Sequence, residues 1–256
     1  MDTLHAIILG IVEGATEFLP VSSTGHLILA SKLLEIPDSS FLSTFEIAIQ
    51  CGAILAVLVL YWREFLNIEL LKRIIVAFIP TAIIGFTVYP IVKGYLLGNA
   101  TVVVWSLLIG GIALIAFEYF HKEKETDVTL PSEITYGQAV LIGLFQAIAV
   151  IPGVSRSAAT IVGGLATGIK RLAIVEFSFL LAVPTMGAAT GLDLLKTYKT
   201  ISMADIGILL VGTAVAFVVA LIALKFLIRY IRRYTFIPFG IYRIIIALLF
   251  FIFVLR

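Results

Sequence analysis

The chain has 256 residues, of which 61% are hydrophobic and only 13% charged, and its mean hydropathy is +1.14. That balance excludes a soluble globular domain, and repeated apolar runs of about 18 residues or more mark an integral membrane protein. A net charge of +2 is too small to imply a nucleic-acid partner, and the single cysteine, Cys51, rules out an intrachain disulfide and reads as core filler.

Residues 4–34 are apolar but interrupted at Pro20. The first arm, Leu4 to Leu19, has 16 residues, and at ~1.5 Å per residue it falls short of a ~30 Å hydrocarbon core. This predicts a re-entrant half-helix that enters and leaves by the same face, with irregular backbone covered by protein or water. The opening Met-Asp-Thr-Leu-His lacks the basic region of a cleaved signal peptide, so the segment is expected to be retained. Glu13 and Glu17, four apart, share one helix face, and Pro20 then ends the helix. Ser22, Ser23, Thr24 and Gly25 read as the N-cap of a second short helix, Leu27 to Leu34, whose first amides point at any anion placed before them. Two acids, three hydroxyls and the imidazole of His26 at membrane depth point to a reaction site, because buried charge there is expensive unless something uses it. The alternative is a capped helix–turn–helix with its acids in water.

Three full spans follow: Phe45–Trp62, Ile74–Val92 with Pro80 and Pro90, and Val102–Phe120. The last runs into a mixed-charge segment, His121 to Asp127, read as a plain solvated connector. The pattern then recurs. Gln138–Gly168 is again an interrupted apolar stretch, and the spans Ala173–Gly191, Ile206–Leu224 and Ile237–Leu255 come after it. Gly10 and Gly143 are 133 residues apart, Phe45 and Phe179 are 134, and Thr81 and Thr213 are 132, a near-constant offset that points to internal duplication. The predicted fold is an all-α polytopic membrane protein forming a single membrane domain over 1–256. Its repeats, 1–127 and 128–256, each hold one re-entrant helix hairpin and three transmembrane helices. Three is odd, so the second copy enters from the opposite face, giving an inverted repeat whose broken helices meet near the midplane.

Eleven Lys and Arg residues, among them Lys170, Arg171, Arg232 and Arg233, fall on connections of one side; Lys32, Lys93, Lys196, Lys199 and Arg256 fall on the side of the N-terminus. The positive-inside rule makes the first side cytoplasmic, with the termini and the mouth of the first hairpin on the outer face of the plasma membrane.

In the second broken helix, Pro152 and Gly153 make the break, Ser155 or Ser157 caps the next arm, and Thr160 lies one turn further in. Arg156 at that helix start adds a planar cation with paired donors, which suits a phosphate; the alternative is an arginine snorkelling to the interface. Gln146 occupies the place that Glu13 holds in the first repeat. One composite site is expected, with nucleophile and base from the first hairpin and anion binding from the second. Arg243, inside the last span, reads either as a snorkelling residue or as a partner for Glu118 or Glu176. Gly85, Gly110, Gly111, Gly163, Gly164 and Gly187 read as points of close helix approach that would also permit a homodimer.

The strings E-G-A-T-E-F-L-P-V-S-S-T-G-H, F-E-I-A-I-Q-C-G-A-I-L-A-V and P-G-V-S-R-S-A-A-T closely resemble the undecaprenyl-diphosphate phosphatase family, membrane enzymes linked to bacitracin resistance, in order and over essentially the whole chain. The resemblance implies hydrolysis of undecaprenyl diphosphate to the monophosphate, which recycles a lipid carrier for cell-wall glycan export. It implies a divalent cation, Mg or Ca, with Glu13 and Glu17 as its candidate ligands. The essential groups it implies are Glu13, Glu17, Ser22, Ser23, Thr24, His26 and Arg156, with Gly25, Ser155, Ser157 and Thr160 as phosphate-loop members and Glu46 and Gln50 in the wider pattern. Ser23 is the favoured nucleophile, with Glu17 or His26 as base; His26 as nucleophile and an activated water stay open. On architecture alone a transporter of an anionic substrate, a lipid-phosphate flippase being its sharpest version, rates above an enzyme, and the paired acids beside S-S-T-G-H tilt the balance to the enzyme.

Overall fold

The computed structural model describes residues 1–96, 99–197 and 203–254, which leaves Lys199 and Arg256 outside the described residues. Among them the chain is helical throughout, apart from loops and one isolated bridge between Val128 and Ile169. Ten α-helices follow in order: α1 (Thr3–Thr16), α2 (Ser23–Leu33), α3 (Ser40–Leu60), α4 (Ile68–Ile91), α5 (Ala100–Phe120), α6 (Tyr136–Ala147), α7 (Arg156–Ala166), α8 (Arg171–Thr197), α9 (Met203–Ile231) and α10 (Ile237–Val254). Polar side chains set several of the starts. Asp2 caps α1 by accepting from His5 N at 2.9 Å, Ser39 accepts from Leu42 N at 3.1 Å, and Asn99 accepts from Thr101 N at 3.0 Å.

Five of these helices, α3, α4, α5, α8 and α9, are long and apolar enough to cross a membrane. By contrast α1 and α6, of 14 and 12 residues, are too short, and each folds back on an 11-residue partner, α2 or α7, to make a hairpin. The first arm ends at Thr16 rather than Leu19. An α-helix continued to Pro20 would drive the proline ring into the carbonyl of Thr16, four residues back. The turn that replaces it sends Phe18 fully into the core, edge-on to Phe179 at 5.4 Å.

Glycines allow the hairpins to seat. A side chain on Gly10 or Gly14 of α1 would strike the α9 backbone at Gly212 or Ala216, and one on Gly143 of α6 would strike the α4 backbone at Ala77. So α1 lies on α9 while α6 lies on α4, and α5 lies along α10. Gly110 and Gly111 face α10, Gly163 faces Phe145 and Gly164 faces Ile174. Gly85 and Gly187 stand in nearly open space, so neither serves the close approach expected of it.

The segment after α5 is no plain connector. Glu123 accepts from Arg171 N at 2.6 Å and pairs with its guanidinium at 3.2 Å, and Val128 hydrogen-bonds across to Gly168 and Lys170. These contacts tie the end of α5 to the start of α8. Arg171 also holds the buried Glu118 at 2.6 Å, and Glu118 accepts the Phe236 amide at 3.0 Å, which fixes the start of α10 to the same end.

Candidate active site

The two hairpin tips share an unusual backbone. Ser22 and Ser155 precede α2 and α7, and each has a positive φ, 72° and 75°. That region favours glycine, and a serine held in it costs about 1–3 kcal/mol unless its surroundings impose it. The two positions are 133 residues apart in sequence, the offset of Gly10 and Gly143. Ser155 caps α7 by accepting from Ala158 N at 3.2 Å, while the Ser22 hydroxyl makes no capping bond.

A buried arginine that the sequence reading misjudged fastens the tips together. Arg243 is 0% exposed, and its guanidinium donates to the carbonyls of Gly153 (3.0 Å) and Val154 (2.9 Å) on one tip and of Pro20 (3.3 Å) on the other. It also donates to Ser106 (3.0 Å) and Leu107 (3.5 Å) within α5. It neither snorkels nor pairs with a glutamate, because its N–H donors meet the Pro20, Gly153 and Val154 carbonyls exposed at the helix breaks and two further carbonyls of the continuous helix α5. Gly110 makes room for it: a Cβ there would meet the guanidinium.

Between the tips, one carboxylate joins the two halves. Glu17 Oε2 accepts from the Ser23 hydroxyl at 2.5 Å, and Glu17 Oε1 accepts from Arg156 Nη2 at 3.0 Å. Arg156 is held by the Ser178 carbonyl at 2.8 Å and lies 5.7 Å above the Phe18 ring; its Nε is buried with no partner. A cavity of about 160 Å³ opens on this group, with Glu17, Ser22, Ser23, Thr24, Ser155 and Arg156 on its polar side and Gln50 and Met186 beside them. At ~30 Å³ per water, it has room for about five waters or a phosphate headgroup with some of its hydration, and none for a prenyl tail.

Glu13 lies beneath, fully buried, and neither of its carboxylate oxygens accepts a hydrogen bond. Burying a carboxylate there without a donor is costly, which makes the position receptive to a cation. Gln146, expected to match Glu13 in the second half, is also buried but is tied to Thr81 (2.8 Å) and Thr185 (3.2 Å), away from the cavity.

Other expected members lie apart from the cavity. Gly25 packs on Leu107 and Val103. Thr160 donates within α7 and shares a 2.6 Å hydrogen bond with the Ser178 hydroxyl, so it braces the residue that holds Arg156, and the Ser157 hydroxyl is 3.4 Å from that of Ser155. Glu46 accepts from Ser31 at 3.1 Å. Both ring nitrogens of His26 are engaged: Nδ1 donates to the Ser22 carbonyl at 2.7 Å, and Nε2 lies 2.8 Å from the hydroxyl of Tyr242. A carbonyl can only accept, which fixes the proton on Nδ1 and leaves Nε2 facing the tyrosine, not Ser23. The sequence reading missed Tyr242 altogether; only its place next to Arg243 could have drawn notice.

A family model described as "Bacitracin resistance protein BacA" matches residues 6–249. A protein named undecaprenyl-diphosphatase from Bdellovibrio bacteriovorus is 57% identical, with 97% of this chain and 94% of that one aligned. Proteins of the same name from a Sulfurihydrogenibium species and from Aquifex aeolicus are 52% and 49% identical, over 98% of this chain and 99% and 98% of theirs. With its paired acids, tip serines and Arg156 inside that match, the chain belongs to the bacitracin resistance protein BacA family.

Proposed function

We propose that the chain is a membrane-integral undecaprenyl-diphosphatase, releasing inorganic phosphate from the lipid diphosphate and returning the lipid monophosphate. One observation carries the reading: the carboxylate of Glu17 is shared between the Ser23 hydroxyl and the Arg156 guanidinium across two hairpins. Phosphoryl transfer asks a protein for positioning and charge stabilisation, and both are present at that junction. The terminal phosphate enters the cavity and competes with Glu17 for Arg156, whose unpartnered Nε gives it a further donor. Glu17 Oε2, freed of part of its ion pair, takes the proton of Ser23 as the serine oxygen bonds to phosphorus and the bond to the lipid phosphate breaks. Glu17 passes that proton to the departing lipid phosphate; it then takes a proton from the water that attacks the phosphoserine and returns it to the Ser23 oxygen as inorganic phosphate leaves. The Ser155 hydroxyl and the first amides of α2 and α7 face the same anion. His26 is favoured as a positioning residue for the Ser22 carbonyl rather than as the base.

A divalent cation, Mg or Ca, fits the acids. Glu13 offers two buried, unpartnered oxygens beside Glu17, and among the described residues no third His, Cys, Asp or Glu completes a ligand set. The remaining ligands would be substrate phosphate and water, the usual arrangement for Mg at phosphates. When bound, such an ion neutralises charge on the diphosphate.

The architecture is read as an inverted repeat of residues 1–127 and 128–256. Supporting it are the matching positive-φ serines and the reciprocal packing of α1 on α9 and α6 on α4. The tips lie level with Ser106 in the interior of α5, which favours re-entrant hairpins. The excess of Lys and Arg on one side favours a mouth on the outer face of the plasma membrane. The carrier reading is not favoured, since a transported anion needs no base beside a hydroxyl. Phosphate release from a prenyl diphosphate in detergent, where no second compartment exists, is the test. Glu17→Gln and Arg156→Ala are expected to abolish it in folded protein, and normal turnover by both would end the assignment.

A further inference from the structure

The more basic end of the bundle carries a second, unrelated feature. A groove of about 390 Å³ runs between the start of α8 and the α9–α10 turn. Lys170, Arg232 and Arg233 line it, and none of the three forms an ion pair among the described residues. Arg171 on the same rim is shared by Glu118 at 2.6 Å and Glu123 at 3.2 Å, so these two carboxylates are offset by Arg171 and one further cation, and the set keeps a net positive charge. What is left over is positive charge converging on an open space with an apolar floor, Leu172 and the buried Ile231.

The depth of the groove narrows the choice of anion. At the end of α5, which ties into this rim through Glu123, Tyr119 and Phe120 are 75% and 80% exposed, and Tyr234 in the groove wall is 59% exposed. Large exposed aromatic rings at the ends of spanning helices sit at headgroup level. Below the groove α9 presents Ile222 and Phe226 outward, an apolar surface along which a chain can lie. A free phosphate would use only the cations; a phospholipid uses the cations, the apolar floor and the exposed face of α9 together.

We propose that this groove binds the phosphate headgroup of an anionic membrane phospholipid, with its acyl chains against α9. The site is separate from the hairpin tips and serves to hold the bundle in register with an anionic leaflet. Native mass spectrometry of the full chain, released from micelles doped with phosphatidylglycerol or phosphatidylcholine, tests it. Wild type is expected to retain phosphatidylglycerol and not phosphatidylcholine, and the triple variant Lys170→Gln, Arg232→Gln, Arg233→Gln is expected to bind it roughly 100-fold more weakly. Phosphate release in detergent stays at the wild-type level in that variant. Arg232→Lys with Arg233→Lys, which keeps the charge, retains the lipid within about threefold. Equal phosphatidylglycerol retention by wild type and triple variant would overturn the proposal. So would equal retention of phosphatidylcholine, a lysine variant as weak as the glutamine one, or displacement of the lipid by equimolar inorganic phosphate.

Discussion

Replacing Arg243 by lysine isolates the role of the clamp, because the positive charge stays while the geometry of its donors is lost. The guanidinium reaches five carbonyls, three of them at 3.0 Å or closer. A lysine has three N–H donors, so at least two of those bonds are lost, at about 0.5–1.5 kcal/mol each, since Ser106 and Leu107 keep their partners within α5. The expected destabilisation is therefore roughly 1–3 kcal/mol, within what a folded protein of typical ~5–15 kcal/mol stability can survive. Activity should suffer more than folding. Pro20, Gly153 and Val154 belong to the tips that place Ser23 against Arg156, and a displacement of about 1 Å at a reacting centre costs on the order of 100-fold in rate. Steady-state phosphate release in detergent, run beside a thermal unfolding curve, separates the two effects. A fall of about 100-fold in kcat with a smaller change in KM is expected, since Arg156 still receives the headgroup. A lysine variant with kcat and unfolding midpoint both within about twofold and ~2 °C of wild type would show that the clamp positions nothing.

Further outcomes follow from the same geometry. Ser23→Ala removes the hydroxyl that Glu17 accepts from, and kcat should fall by at least ~100-fold; phosphoenzyme trapped on another residue with turnover intact would move the nucleophile elsewhere. Tyr242→Phe keeps the ring stacked on His26 at 5.4 Å but deletes the hydrogen bond to Nε2, so kcat should drop only about three- to tenfold, against a much larger loss for His26→Ala, measured in the same assay. Ser22→Gly relieves a positive φ without losing a cap and should raise the unfolding midpoint, by the equivalent of about 1 kcal/mol. Ser155→Gly relieves the same strain but gives up the bond from Ala158 N, so it should come out near zero in the same measurement. Glu13→Gln keeps the volume and removes the charge, and it should weaken any Mg or Ca dependence of phosphate release; unchanged dependence would place the ion elsewhere.

Much of this molecule is legible in its apolar pattern, because in a membrane the backbone must satisfy itself and the helices declare themselves by length. The broken segments around Pro20 and Pro152 are visible for the same reason, since a proline and a cluster of polar groups cannot belong to a lipid-facing helix. The meeting of Glu17 with Ser23 and Arg156 follows from chemistry that needs an acid, a hydroxyl and a cation together. Arg243 and Tyr242 were not legible. The arginine's bonds to Pro20, Gly153 and Val154 depend on two chain breaks, 133 residues apart in sequence, presenting their carbonyls to one point beside α5, and no local pattern encodes that convergence. The same holds for Thr160, which reads as a phosphate ligand and instead braces Ser178. The connector from His121 to Asp127 looks solvated because its residues are charged, yet Glu123 is fixed by an arginine 48 positions later.

A headgroup-sized chamber has a kinetic corollary. With about 160 Å³ between the tips, only the polar end of the lipid is engulfed, and the hydrocarbon never leaves its solvent. Encounter then takes place in two dimensions, and what the protein senses is the mole fraction of substrate among the surrounding amphiphiles. Adding detergent at fixed substrate should slow it as surely as removing substrate does, and a micellar Michaelis constant will carry over to the bilayer only when expressed as a surface ratio.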